Sequence, residues 1–412
     1  MVLPNFEENL KKYAELLVAT GVNVSEGHTV YLSIDVDQAP LARLISQAAY
    51  DKGAKRVIIS WADDELSRQA FNNQDLETLK EVPNYKIEEM NYLLENNASR
   101  ISVRSSDPDA FAGIDPQKMA ETQKSRAAAM RPMMDATQAN KISWLVASAA
   151  GEEWAKKVFP NLESTEEQVD ALWDAIFNAV HLYEEDPIAY WEDKVELLQS
   201  KADELNEEKF TALHFKGEGT DLVVGLPEKH RWEGAGSTNA QGEVFVANMP
   251  TEEVFSAPDA NRVDGVVVST KPLSYAGSII EGMEFHFKDG KVTKVSAEKG
   301  EEVLKQLLEQ DEGASRLGEV ALVPDESPIS QSGLTFFNTL FDENASNHLA
   351  LGSAYAFSLV GGTEMSREEL NAAGLNESNT HVDFMIGSDK MDIDGIKEDG
   401  STVPVFRNGT WA

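Results

Sequence analysis

The hydrophobic pattern of this chain changes period at about residue 208, and that change limits it to a helix-containing half followed by a β-rich half. Before it, Phe6, Leu10, Tyr13 and Leu17 recur at helical spacing, and HTVYLSI (28 to 34) then alternates as a strand does. APLARLISQAAYDKG (39 to 53) returns to helical spacing, and AKRVIISWAD (54 to 63) reads as a second, buried strand. That order makes a βαβ unit in a parallel sheet. Polar helical segments, with a long helix-prone stretch around Met119 to Met134, lead to another apolar strand in KISWLVASAA (141 to 150). EEQVDALWDAIFNAVHL (166 to 182) and AYWEDKVELLQSKADELN (189 to 206) predict two further helices, with His181 an ordinary residue of the first. After residue 208 come short alternating runs broken by Gly, Asn and Asp, such as TDLVVGL and DGVVVST. The Asp-Gly pair within FHFKDGKVTKV (285 to 295) predicts a hairpin, with His286 on a strand face. The expected architecture is an α/β N-terminal domain with a parallel sheet, residues 1–208, and a mixed, β-rich α+β C-terminal domain, residues 209–412.

Charge and composition narrow the function. Lys and Arg total 36 against 71 Asp and Glu, a formal charge of -35 that repels phosphate backbones and anionic membrane surfaces, so nucleic acid and membrane are not expected partners. Cysteine is absent, which excludes disulfides, thiolate ligands and a cysteine nucleophile. No GxGxxG follows the first strand, so a nucleotide-binding reading lacks its phosphate loop. The amino-terminal stretch has no basic region followed by a continuous apolar run, and a cytoplasmic protein is expected.

The last third of the chain concentrates ligand chemistry: Glu253, Glu319, Glu343, His348, His381 and Asp383. In THVDFMIG (380 to 387) alternation places the His381 imidazole and the Asp383 carboxylate on one strand face, where one cation can take both. Glu343 and His348, five apart in FDENASNH, would stand about 140° apart on an ideal helix, which points to a loop or a helix end. NMPTEEVF (248 to 255) and LGEVALV (317 to 323) each set a glutamate beside a strand-like run. On a strand Glu252 would face away from Glu253, as a surface residue or a support to the site. Four carboxylates and two imidazoles suit zinc, cobalt or manganese. Six are too many for one catalytic zinc, whereas two ions sharing a carboxylate and a water would use them all.

EGTDLVVGLP (218 to 227), NMPTEEVF, LGEVALV, FFNTLFDENASNHLALGSAY (336 to 355) and THVDFMIGS (380 to 388) occur in that order. With them the chain resembles, over essentially its whole length, the metallo-aminopeptidases of the aminopeptidase T, aminopeptidase S and PepS type. The resemblance implies release of N-terminal residues from peptides with a free amino terminus. It also implies a dinuclear site with all six side chains at ligand positions, and a homodimer whose active sites face an enclosed cavity. Tyr355 matches a tyrosine that the family places at the active site, where a phenol can donate to a developing oxyanion. Glu319, in the middle of the set, is the expected bridge between the ions. Glu319 and Glu343 are both open to the general-base role.

Two rivals remain at this level. A dinuclear phosphoesterase would use the same metals, yet the matched C-terminal motifs hold no Arg or Lys cluster and no Gly-rich anion cradle. A non-catalytic protein holding calcium would want oxygen ligands, against which His348 and His381 stand.

Overall fold

The computed structural model describes residues 3–105, 107–276 and 278–412. They form two compact units, Met1–Asp193 with Gly236–Pro250, and Lys194–Ala235 with Thr251–Ala412.

In the first unit, helix α1 (Phe6–Leu16) precedes strand β1 (Thr29–Asp35), helix α2 (Ala39–Asp51) and strand β2 (Arg56–Ala62). Strands β3 (Ser99–Arg104) and β4 (Trp144–Ser148) complete a four-stranded parallel sheet in the order β2-β1-β3-β4. Alternation in β1 buries Val30, Leu32 and Ile34 completely, each contributing about 1.5–3 kcal/mol of apolar burial. Leu41, Ala42, Ile45 and Ala49 do the same on α2 at helical spacing. The strand β3 lies within the region read from sequence as polar helix. The stretch around Met119 to Met134 is two helices, α3 (Pro116–Ala129) and α4 (Arg131–Gln138), because Pro132 opens the second.

Helix α5 (Thr165–Ala179) starts at Ser164, whose side chain accepts from the Glu167 N–H, and packs Leu172, Trp173, Ile176 and Phe177 inward. His181 is not a helix residue. It lies past the end of α5 with φ 54° and stacks on Tyr190 at 4.4 Å. The division between units falls within helix α6 (Pro187–Glu208), and residues 236–250 return to the first unit. They do so because Val146 donates to Ala247 O and accepts from Met249 N–H, extending the parallel sheet beyond β4.

The second unit holds two main sheets. In chain order the strands of these two sheets are β5 (Ala212–Gly217), β6 (Thr220–Gly225), β7 (Val254–Ser256), β8 (Val263–Val268), β9 (Glu284–Lys288) and β10 (Lys291–Ser296). They continue with β11 (Leu317–Leu322), β12 (His348–Gly352), β13 (His381–Met385), β14 (Asp392–Ile396), β15 (Thr402–Arg407) and β16 (Thr410–Trp411). Eight form one antiparallel sheet, β10-β9-β8-β6-β5-β14-β15-β16. The β9–β10 hairpin turns at Asp289 and Gly290, with φ 49° and 80°, the positive pair that an Asp-Gly turn supplies. The other four form the sheet β13-β12-β11-β7, also antiparallel. One of its faces belongs to the hydrophobic core of this unit, through Val254, Val320, Leu322, Leu349, Leu351, Val382 and Phe384.

Candidate metal centre

The second face of the β13-β12-β11-β7 sheet is where the chemistry collects. Register places Glu319 opposite Ala350 and Ala350 opposite Asp383, while Ala321 pairs with both His348 and Phe255. Residues directly opposite one another share a face, as do residues two apart on one strand. Glu253, Glu319, His348, His381 and Asp383 therefore all project from the same side, opposite to the core-facing residues. The positions between them are Ala321, Ala350 and Gly352, too small to fill the space that the acids and imidazoles enclose.

Two triads result. Glu253, Glu319 and His348 bring one ligand atom each within 4.8 Å of one another, and so do Glu319, His381 and Asp383. Glu319 belongs to both: its Oε1 is 3.5 Å from His348 Nε2 and its Oε2 is 3.6 Å from His381 Nε2. His348 Nε2 also lies 3.1 Å from Glu253 Oε2, and His381 Nε2 lies 3.5 Å from Asp383 Oδ1. The other nitrogen of each ring is committed elsewhere, His348 Nδ1 to Ser346 O at 3.0 Å and His381 Nδ1 to Ser353 O at 2.7 Å. A carbonyl only accepts, so Nδ1 carries the proton and each neutral ring turns the lone pair of Nε2 toward the carboxylates. Lone pairs facing carboxylates need a cation or a proton between them.

The buried carboxylates tell the same story. Glu253 Oε2 and Asp383 Oδ1 are buried without a hydrogen-bond partner. Burial, abetted by the neighbouring carboxylates, holds Glu343 well above the usual range and raises Glu319 as well. Burial alone would lower both histidines, but the carboxylates around them outweigh it: His348 is pushed well above its ordinary value and His381 up to about 9. Asp383, which burial would raise, is instead held below its usual value by the His381 charge. Without a cation the cluster recruits protons to balance its charge, and orphaned oxygens and inward lone pairs are the donor set a divalent ion takes.

The remaining expected residues fall around this face. Glu343 is buried and opens a short 3-10 turn, Glu343–Ala345, that follows the helical turn Thr339–Asp342. Its carboxylate lies outside both triads. Tyr355 is not part of a strand: Gly352, at φ 108°, ends β12, and the phenol ring comes to lie 5.1 Å from both the His381 and the Phe357 rings. Burial and the carboxylates of the cluster push its hydroxyl well above its ordinary pKa. Glu252 is not a surface residue. It is buried, with Lys194 Nζ 2.5 Å from its Oε2, and its N–H donates to Asn344 Oδ1 at 2.7 Å. Neither Lys194 nor Asn344 carries a sequence signal, because both act through partners distant in the chain. Glu233 was missed too: it pairs with Phe255 at the outer edge of β7, and burial raises its carboxyl to about 7. Trp232 is fully buried, Arg231 is exposed and pairs with Glu233 at 2.9 Å, and His214, His230 and His286 bond to Asp221, Pro227 O and Glu284, away from the cluster.

The model of the thermophilic metalloprotease (M29) family matches residues 6–411 of this chain. The chain belongs to the peptidase M29 family. The chain is similar to aminopeptidase PepS of Streptococcus thermophilus, 59% identical with 100% of each chain covered, and to aminopeptidase AmpS of Bacillus subtilis (strain 168), 50% identical with the same coverage. The fold is similar to that of wild-type AmpT from Thermus thermophilus, with a TM-score of 0.92 at 43% identity, covering 99% of this chain and 100% of that one. The protein is thus a metallo-aminopeptidase, a hydrolase acting on peptides, and the M29 assignment carries the use of divalent metal with it. The phosphoesterase and calcium-binding alternatives are not favoured.

Proposed function

We propose that Glu253, Glu319, Glu343, His348, His381 and Asp383 hold two divalent ions, zinc, cobalt or manganese, and that Glu319 stands between them. The observation that carries this reading is the membership of Glu319 in both triads, one oxygen toward each histidine. Bound there, the ions supply Lewis acidity toward a scissile carbonyl and acidify water at neutral pH. Ser346 O and Ser353 O fix the ring orientation of the two histidines, so that both Nε2 atoms face inward. One oxygen of Glu319 faces each histidine, and Glu343, whose carboxylate lies outside both triads, would accept the proton released by the attacking water. Tyr355, against His381, donates its hydroxyl to the oxyanion as it forms. Capture of the substrate α-amine within the same centre confines cleavage to the first residue of a peptide. The reading includes a homodimer in the cytoplasm. Support for the homodimer is the sequence resemblance; among the described residues no helix is long and apolar enough to cross a membrane.

The test pairs metal analysis with substrate choice. Purified protein should carry two divalent ions per chain and cleave aminoacyl-anilides with a free amine but not their amino-blocked analogues. Full activity after complete chelation would overturn the reading. For Tyr355→Phe the expected result is a fall in kcat of roughly 10 to 1000-fold, the range for loss of one oxyanion donor, with metal content retained. Unchanged turnover would remove Tyr355 from the mechanism.

A further inference from the structure

Asn344 is fully buried and lies between two stretches of chain, each of which carries one of the carboxylates assigned above to metal. Its Oδ1 accepts from the Glu252 N–H at 2.7 Å, across 92 residues of sequence, and Glu252 immediately precedes Glu253. Its Nδ2 donates to Leu340 O at 2.9 Å, closing the helical turn that leads into Glu343, and lies 3.5 Å from Glu343 Oε1. Neither stretch is held by sheet pairing at these points: β7 begins only at Val254, and β12 only at His348. Glu252 is anchored on its other side by the buried Lys194 ammonium. One amide thus fixes the backbone before Glu253 relative to the turn before Glu343, a task that needs an acceptor and a donor on one short side chain, which Asn has, whereas Asp lacks the donor and a Ser hydroxyl reaches one of the two groups but not both.

We infer that Asn344 is a positioning residue of the metal centre: it sets the spacing of Glu253 and Glu343, and thereby the affinity for the ions, without touching them. The inference rests on the assignment of these two glutamates as ligands. An amide in this place acts as outer partners of metal ligands do, whose loss weakens metal binding by about 10 to 100-fold.

The experiment is a titration of chelator-treated protein with zinc and with cobalt, following affinity and stoichiometry calorimetrically and the visible cobalt spectrum as a report of coordination geometry. Wild type is compared with Asn344→Ala, Asn344→Ser, Ser327→Ala, Glu253→Ala and Glu343→Ala. Asn344→Ala should bind about 10 to 100-fold more weakly with an altered cobalt spectrum, and Asn344→Ser should fall between it and wild type. Ser327 donates to the Asn344 backbone carbonyl at 3.0 Å and not to its side chain, so Ser327→Ala controls for a lost buried hydrogen bond and should lower the melting temperature while keeping metal affinity. If Asn344→Ala does not fold, Asn344→Ser decides, because its hydroxyl still satisfies one of the two buried backbone groups. Wild-type affinity and spectrum in the folded Asn344 variants, with the glutamate variants impaired, would overturn the positioning role alone. Wild-type binding in Glu253→Ala and Glu343→Ala would overturn the ligand assignment and this inference with it.

Discussion

Replacing Glu319 by glutamine should give a folded protein whose kcat/KM is lower by on the order of 10⁴-fold, the scale seen when one member of a catalytic unit is removed. The substitution keeps the volume of the side chain and takes away one of its two anionic oxygens. Both matter here, since Oε1 faces His348 and Oε2 faces His381, so either orientation of the amide disrupts one triad. Metal analysis should show fewer than two ions per chain. The melting temperature of the chelator-treated variant should be no lower than that of chelator-treated wild type, because a neutral amide relieves repulsion among the buried carboxylates of Glu253, Glu343 and Asp383. That pair of results separates loss of the centre from loss of the fold. Wild-type kcat/KM with two ions bound would show that Glu319 does not stand between them.

Much of the centre was legible because strand alternation is a local code. THVDFMIG puts His381 and Asp383 on one face whatever surrounds it, and the five-residue step from Glu343 to His348 points to a loop or a helix end, where the structure has a 3-10 turn and the start of β12. The α/β character of the N-terminal part and the β-rich character of the C-terminal part were legible for the same reason, in the switch from helical spacing to alternation. Strand β3 was not. SRISVR offers only Ile101 and Val103 as large apolar residues, and its Arg100 keeps a partner in Thr137, so a strand at the middle of the parallel sheet resembles the polar helices around it. Nor does anything in HLALGSAY announce that Gly352 takes φ 108° and ends the strand before Tyr355, whose ring then lies against His381. Glu252 was left open between a surface residue and a support to the site, because alternation says only that it faces away from Glu253, not that Lys194 waits there. In each case the missing information is a tertiary partner or a backbone angle, neither of which has a short-range signature.

Gly318→Ala should cost both stability and activity, and for one geometric reason. Between Leu317 and Glu319 the pairing of β11 with β12 shifts by one residue, a bulge that sets the phase in which Glu319 reaches the metal face. At that point a Cβ on residue 318 would lie 2.3 Å from Gly352 O and 2.4 Å from Ser353 O. Those contacts are with backbone, which cannot rotate aside, so the end of β12 must move. Ser353 O is also the acceptor for His381 Nδ1, so the displacement reaches a histidine of the second triad as well as Glu319 itself. Overpacking of this kind costs about 1–3 kcal/mol. A shift of about 1 Å in groups that hold the reaction costs about 10²-fold in rate. The informative control is Gly400→Ala, where φ is 83° but nothing lies within 4 Å of the new Cβ. That variant should lose about 1 kcal/mol from backbone strain and keep its kcat/KM. If Gly318→Ala lost stability to a similar extent but kept full activity, the backbone at residues 352–353 would have yielded without moving His381, and the bulge would serve folding alone. A joint fall in melting temperature and kcat/KM, with a changed cobalt spectrum, would tie the glycine in LGEVALV to the placement of the glutamate that follows it.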